Sequence, residues 1–296
     1  MRSGLSNSST PGYSALADRV PPHAYFLVSA VFHYLGPAFA VLLFARLAPP
    51  GVAWLRIASA GLVFAAWRKP WRAFGMLPRH DQVIITGLGL VLAAMNTVFY
   101  EAIARLPLAI VGAIEFLGPI GIAACGVRTR RNLLALVLAV SGVHVLTDLR
   151  IAGEPLGYLF AFANCALFMG YILLGHRISA GGAGISGINR LGCAMLIATV
   201  ADLPVGLRTA LPAFSAPVLL AAGIGVGISS SVIPYVCDQL AMARLPRASF
   251  ALLLSLLPAS AVVIGFLMLR QVPTPSELAG ITLVISGVAL HHAADA

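Results

Sequence analysis

Charge is what this chain has least of. Only 10% of its 296 residues are Asp, Glu, Lys or Arg, while 59% are hydrophobic and the mean hydropathy is +0.94. A soluble domain carries roughly 25% charged residues, so this chain cannot coat itself for water and its apolar segments must face lipid. Metal and redox motifs are missing too. The four cysteines, Cys125, Cys165, Cys193 and Cys237, fall singly in separate apolar runs, with no Cys-x-x-Cys and no His/Cys spacing. No metal or cofactor is expected. There is no His-Glu-x-x-His and no Gly-x-Ser-x-Gly, and the run Ser229-Ser230-Ser231 has no evident activating base. Those absences argue against an integral-membrane enzyme. The net charge of +9 is scattered between apolar runs, without the basic patch and interleaved aromatics that nucleic acid requires.

What is present is written twice. Ala102-Ile103-Ala104-Arg105-Leu106-Pro107-Leu108-Ala109 returns as Ala241-Met242-Ala243-Arg244-Leu245-Pro246-Arg247-Ala248, identical at six of eight positions. At the same offset Pro119 is answered by Pro258, and after a six-residue slip Ser141-Gly142-Val143 is answered by Ser286-Gly287-Val288. Arg56 and Arg190 hold matching places upstream. Internal repeats in a helical membrane protein are the mark of secondary transporters, whose site lies where the halves meet.

A spanning helix needs about 20 mostly apolar residues. Breaks at charge and proline give ten candidates, at 24–44, 51–67, 82–101, 107–126, 132–149, 155–175, 185–205, 217–239, 247–269 and 275–292. The expected fold is therefore all-α and integral to the membrane, with ten transmembrane helices as two inverted five-helix repeats over 23–150 and 151–296. Residues 1–22, rich in Ser, Gly and Pro, read as a disordered cytoplasmic tail and not a signal peptide. With the N-terminus inside, the inner segments hold Arg2, Arg19, Arg68, Lys69, Arg72, Arg79, Arg128, Arg130, Arg131, Arg177, Arg244 and Arg247. The outer loops hold only Arg46, Arg105, Arg150, Arg208 and Arg270. The positive-inside rule then puts both termini in the cytoplasm. Five helices per repeat is odd, so the second half enters the membrane inverted, which suits alternating access.

Ionisable groups inside spans are costly and face a cavity or a partner. Glu115 is the sharpest candidate, midway along the fourth span. Pro119 cannot donate to the carbonyl four residues back, that of Glu115 itself, so a helix break there frees a carbonyl beside the carboxylate, and Glu115 reads as a cation or proton site or as half of a structural ion pair. Arg56 keeps its charge and offers five donors in a planar fork; it can hold a substrate carboxylate or pair with Glu115. Asn96 and Tyr100 share one helix face and offer an amide and a phenol. His33, beside Tyr34 and before Gly36-Pro37, is a further candidate, as is Asp238, which can contact substrate or pair with Arg190. His144 and Arg190 fit an interfacial position equally well. Pro258 is the second expected helix break.

Leu55-Arg56, Met95-Asn96 with Phe99-Tyr100, the Leu106-Pro107-Leu108-Ala109 turn, and Glu115-Phe116-x-Gly118-Pro119 stand in order. With Phe64-x-x-Trp67-Arg68-Lys69-Pro70-Trp71-Arg72 they resemble the EamA branch of the drug/metabolite transporter superfamily, and within it exporters of threonine and homoserine. The resemblance implies a proton-coupled carrier of the inner membrane that exports small neutral amino acids, with Arg56, Asn96, Tyr100 and Glu115 lining the cavity. It implies a zwitterionic substrate and a proton as partners, and is compatible with a homodimer. It departs at Leu257 and Gln271, where such exporters usually carry Glu, which leaves the coupling to Glu115. The same carrier fold moving a drug, a nucleoside, a sugar-linked nucleotide or a lipid-like metabolite is the alternative; a membrane enzyme or scaffold is a minor one.

Overall fold

The computed structural model describes residues 21–118, 129–148, 154–179, 187–242 and 256–290, and among these there are helices and no strands. The expected tail over 1–22 thus falls outside them but for its last two residues. The helices are α1 (Pro22–Leu43), α2 (Pro49–Arg68), α3 (Pro70–Phe74), α4 (Arg79–Ile103), α5 (Leu108–Glu115), α6 (Arg130–Asp148) and α7 (Pro155–Ser179), followed by α8 (Gly187–Ala201), α9 (Leu203–Phe214), α10 (Pro217–Gly227), α11 (Ile233–Met242), α12 (Leu256–Leu269) and α13 (Pro275–Leu290). Six of them begin on proline, where the missing N–H costs nothing because the first turn has no internal acceptor for it.

Among the described residues, α1, α2, α4 and α7 are long and apolar enough to cross a membrane, as is the continuous run Pro217–Cys237 from α10 into α11, and a sixth span results if α8 and α9 are taken together. The fifth and tenth expected spans correspond to α6 and α13, while the fourth and ninth run into residues outside the described set. The seventh corrects the sequence reading. Residues 206–216, expected as a connection, are mostly helical, and α9 leaves α8 at 80°. The cause is Pro204, whose ring cannot continue α8 past Ala201 but suits the first turn of α9. Gly206, Ala210 and Ala213 form a buried stripe along α9, which packs on α2.

In the packing, α2 lies against α8 and α9, α5 against α12, and α6 against α13. The α4 helix packs on α7, as α11 does on α1, and α5 packs on α7, as α12 does on α1. Small residues make the closest crossings. A side chain at Gly227 would strike Ser59 Oγ and come within 2.7 Å of the Arg56 carbonyl, so α10 meets α2 backbone to backbone, as lipid-embedded helices require.

Candidate functional site

The span running from α10 into α11 is not a uniform helix. Residues Ile228–Val232 form a π-turn, a one-residue widening that frequently accompanies functional sites. Two residues further, Pro234 has no N–H to give to the carbonyl four residues back, that of Ser230. Arg56 supplies the missing donor. Its Nη2 donates to Ser230 O at 3.0 Å, its Nε to Ser231 Oγ at 2.9 Å and its Nη1 to Asn96 Oδ1 at 2.8 Å. Asn96 is itself held, with Nδ2 donating to Ala53 O at 2.9 Å. The guanidinium also lies 5.5 Å from the centroid of the Tyr100 ring, a cation–π distance. Arg56 is 9% exposed and Asn96 5%, so α2, α4 and the π-turn meet at one buried charge.

A guanidinium has five N–H donors. Three are used, which leaves one N–H on each terminal nitrogen, two donors for the two oxygens of a carboxylate. The Tyr100 hydroxyl, fully buried, lies near Ser230 and the Arg56 guanidinium but makes no hydrogen bond of good geometry to either. Phe44 and Phe99 wall its ring at 6.0 and 5.9 Å.

Glu115 closes α5, whose regular helix ends at that residue. Its carboxylate is 5% exposed and accepts from Asn164 Nδ2 of α7 at 3.2 Å. It lies within electrostatic reach of Arg56, yet the two form no ion pair. Tyr34 of α1 lies within reach of Glu115. His33, partly buried, meets the Tyr34 ring edge-on at 5.3 Å and feels the Arg56 charge. Arg56, Asn96, Tyr100, Glu115 and His33, singled out in the sequence, are thus brought into one neighbourhood with opposite charges held apart.

The other candidates are placed differently. Asp238 is on α11, but its side chain lies outside the described residues, as does Pro119 altogether. Pro258 lies in α12, two residues after the described residues resume at Leu256, so the break expected there runs into residues outside the described set. Arg190 is 2% exposed and forms an ion pair with Asp81 of α4 at 3.8 Å; the expected pairing with Asp238 lies outside the described residues. His144 faces outward from α6. Gln271 serves the structure. Its Oε1 accepts from Leu108 N at 3.1 Å, satisfying an orphan donor at the start of α5.

Three polar residues that contact Arg56 or Glu115 escape the sequence reading. Ser230 and Ser231 enter it only as candidate nucleophiles, and Asn164 carries no signal between Ala163 and Cys165. Ser230 does carry one, since Pro234 stands four residues on, the same spacing that links Glu115 to Pro119. A separate cavity of about 190 Å³ lies between α5, α12 and α13, lined by Pro107, Ile110, Gln271 and Glu277 among others. Neither Arg56 nor Glu115 lines it, and its Glu277 forms a capping box, accepting from Thr274 N at 2.8 Å. The Arg56–Glu115 neighbourhood is therefore the candidate site, on its chemistry.

Apolar helices crossing at small residues around two opposed buried charges define a membrane transporter. A model of the EamA-like transporter family matches residues 155–291. The chain is 31% identical over 272 residues to the threonine/homoserine exporter RhtA of Escherichia coli K12, covering 90% of this chain and 89% of that protein. To the exporter of the same name from Salmonella typhimurium LT2 it is 31% identical over 258 residues, covering 85% and 84%. A crystal structure at 17% identity superposes with a TM-score of 0.58 over 90% of this chain and 96% of the other, a likeness of fold. The chain belongs to the EamA-like transporter family. Its activity is transport of metabolites out of the cell, not an enzymatic reaction.

Proposed function

We propose that this chain exports small neutral amino acids of the threonine and homoserine kind by proton-coupled alternating access. In this reading Arg56 takes the substrate carboxylate on its two unused N–H donors and Glu115 takes the ammonium. Asn96 and Tyr100 hold the guanidinium and wall the cavity, with His33 at its border. The observation that carries the reading is the separation of Arg56 and Glu115, two buried opposite charges that lie within reach and do not pair. A zwitterion presents its own two charges in complement to them. The names of the relatives support the substrate class.

Ionised Glu115 accepts the ammonium from the cytoplasmic side. A proton arriving from outside neutralises the carboxylate and releases the amino acid, and the proton leaves inward before the next cycle. One substrate goes out as one proton comes in, and the electrostatics favour each occupant of Glu115 in turn. Alternation rests on ten helices in two inverted five-helix halves, 23–150 and 151–296, in the inner membrane with both termini cytoplasmic. The packing supports that arrangement. Exchanging the first five spans for the last five turns the α4–α7 contact into α11–α1 and the α5–α7 contact into α12–α1, and returns α2–α8, α5–α12 and α6–α13 to themselves.

The test is export from cells that overproduce the protein and are loaded with threonine- or homoserine-containing dipeptides. Faster appearance of the free amino acid outside than in empty-vector cells is the expected result. Equality with the vector, with the protein present in the membrane, sets aside this substrate class.

A further inference from the structure

Among the described residues, two polar atoms beside Glu115 have no partner. Tyr34 and Asn164 are each fully buried, yet Tyr34 Oη and Asn164 Oδ1 make no hydrogen bond. Leaving such groups unmet in an apolar interior is expensive, and a native structure keeps few of them without a reason. Both flank the same carboxylate. Asn164 donates Nδ2 to Glu115 Oε1, and because an ionised carboxylate only accepts, this fixes the amide with Oδ1 turned away from it. Tyr34 presses its hydroxyl against α5 at Gly112, where a Cβ would come within 2.8 Å of Oη. Gly112 lies three residues before Glu115, on the same helix face. Glycine is what allows the phenol to stand there.

The two atoms have complementary needs. Asn164 Oδ1 can only accept, while the Tyr34 hydroxyl has a proton to give. An ammonium group offers donors alone, and would leave the Tyr34 proton unmet. A carboxylate offers acceptors alone, and would leave Asn164 unmet. A hydroxyl meets both at once, donating to Asn164 Oδ1 and accepting from Tyr34 Oη.

We infer that Tyr34 and Asn164 form a subsite for a side-chain hydroxyl on the substrate, and so set the preference of the transporter for hydroxylated over purely aliphatic amino acids. The inference rests on the amino-acid exporter reading above. Sites built in this way discriminate strongly, by roughly 10⁴- to 10⁵-fold at their best, because the analogue lacking the hydroxyl leaves buried groups unpaired. It also accounts for a pair of orphaned atoms to which the carboxylate and ammonium contacts assign nothing.

Threonine and valine are the probes, since they differ by a hydroxyl in place of a methyl. Initial export rates of both are measured from cells loaded with the corresponding dipeptides, for the wild-type chain and for Tyr34→Phe, which removes only the hydroxyl and keeps the ring. The wild-type chain is expected to favour threonine by at least about tenfold, and Tyr34→Phe to lower that ratio by about tenfold with valine export unchanged, the scale of one lost hydrogen bond. Equal export of threonine and valine by the wild-type chain overturns the inference and leaves the exporter reading standing. Equal loss of both amino acids in Tyr34→Phe also overturns it, because a merely structural tyrosine gives that result. Export of neither by the wild-type chain overturns the amino-acid reading and the hydroxyl subsite with it.

Discussion

Arg56 of α2 donates through Nη1 to Asn96 Oδ1 of α4 at 2.8 Å, and the amide that receives it is anchored by its own donation to Ala53 O at 2.9 Å. Asn96 therefore ties the guanidinium back to the helix that carries it, at a carbonyl one turn before Arg56. A long side chain that would otherwise sample several rotamers is fixed, with one N–H left over on each terminal nitrogen.

Replacing Asn96 by Ala removes that tie. A hydrogen bond to a charged group is worth about 1.5–3 kcal/mol, so export is expected to fall at least about tenfold at subsaturating substrate while the membrane level of the protein stays near wild type. Asn96→Asp is expected to fall further, since a carboxylate beside Arg56 takes the donors meant for the substrate. Steady-state export rates normalised to protein on a membrane blot check both.

Pro234 is predicted to matter through Ser230. Pro234→Ala restores an N–H able to bond the Ser230 carbonyl within the helix, in competition with Arg56 Nη2. The variant is expected to insert at least as well as wild type, because proline inside a helix is costly, and to export more slowly. A rise in thermal stability in detergent together with a fall in export is the combination that identifies this cause.

The crossing of α1 with the π-turn gives a steric prediction. A Cβ at Gly36 would strike the Ser230 side chain and come within 2.7 Å of its Cα. Gly36→Ala is expected to destabilise the protein by about 1–3 kcal/mol, the range for overpacking a filled interior, and to lower both membrane abundance and export. Gly175→Ala, on an open surface with nothing within 4 Å, is the control and is expected to leave both unchanged.

Much of the site is legible in the sequence because polarity is so rare in it. Arg56, Asn96 and Glu115 stand out as charges or amides inside apolar runs, and a low-dielectric environment obliges such groups to converge on partners or on a ligand. Their mutual arrangement is not legible. A bidentate pairing of Arg56 with Glu115 is as natural from the sequence as the observed division, in which Arg56 turns to Ser230, Ser231 and Asn96 and Glu115 to Asn164. That choice depends on the π-turn, a backbone widening stabilised by tertiary contacts that leave no periodicity to read. Serine and asparagine are weak signals for the same reason, since either can bond its own helix, as Ser59 does to the Leu55 carbonyl at 2.7 Å. The α8–α9 bend is within reach of sequence reasoning, because Pro204 directly follows Leu203 and a proline inside an apolar run ends a helix. The pairing of Arg190 with Asp81 is not, as it joins the two halves across more than a hundred residues.

The orientation is open to a direct check. A fluorescent protein that matures only in the cytoplasm, fused after Ala296, is expected to fluoresce, and a reporter active only outside the cytoplasm, fused at the same point, is expected to be silent. The reverse pattern contradicts the assignment made from Arg and Lys counts.

The central claim is that Glu115 exchanges a proton for the substrate ammonium, with Arg56, Asn164 and Tyr34 as its polar neighbours. The most direct measurement uses purified protein in liposomes loaded with labelled threonine, with the initial efflux rate followed as the outer pH is lowered at constant inner pH, for wild type and for Glu115→Gln. The account predicts efflux that rises with outer acidity in wild type, and in Glu115→Gln a low rate that does not change with pH. The same pH dependence in both proteins contradicts it.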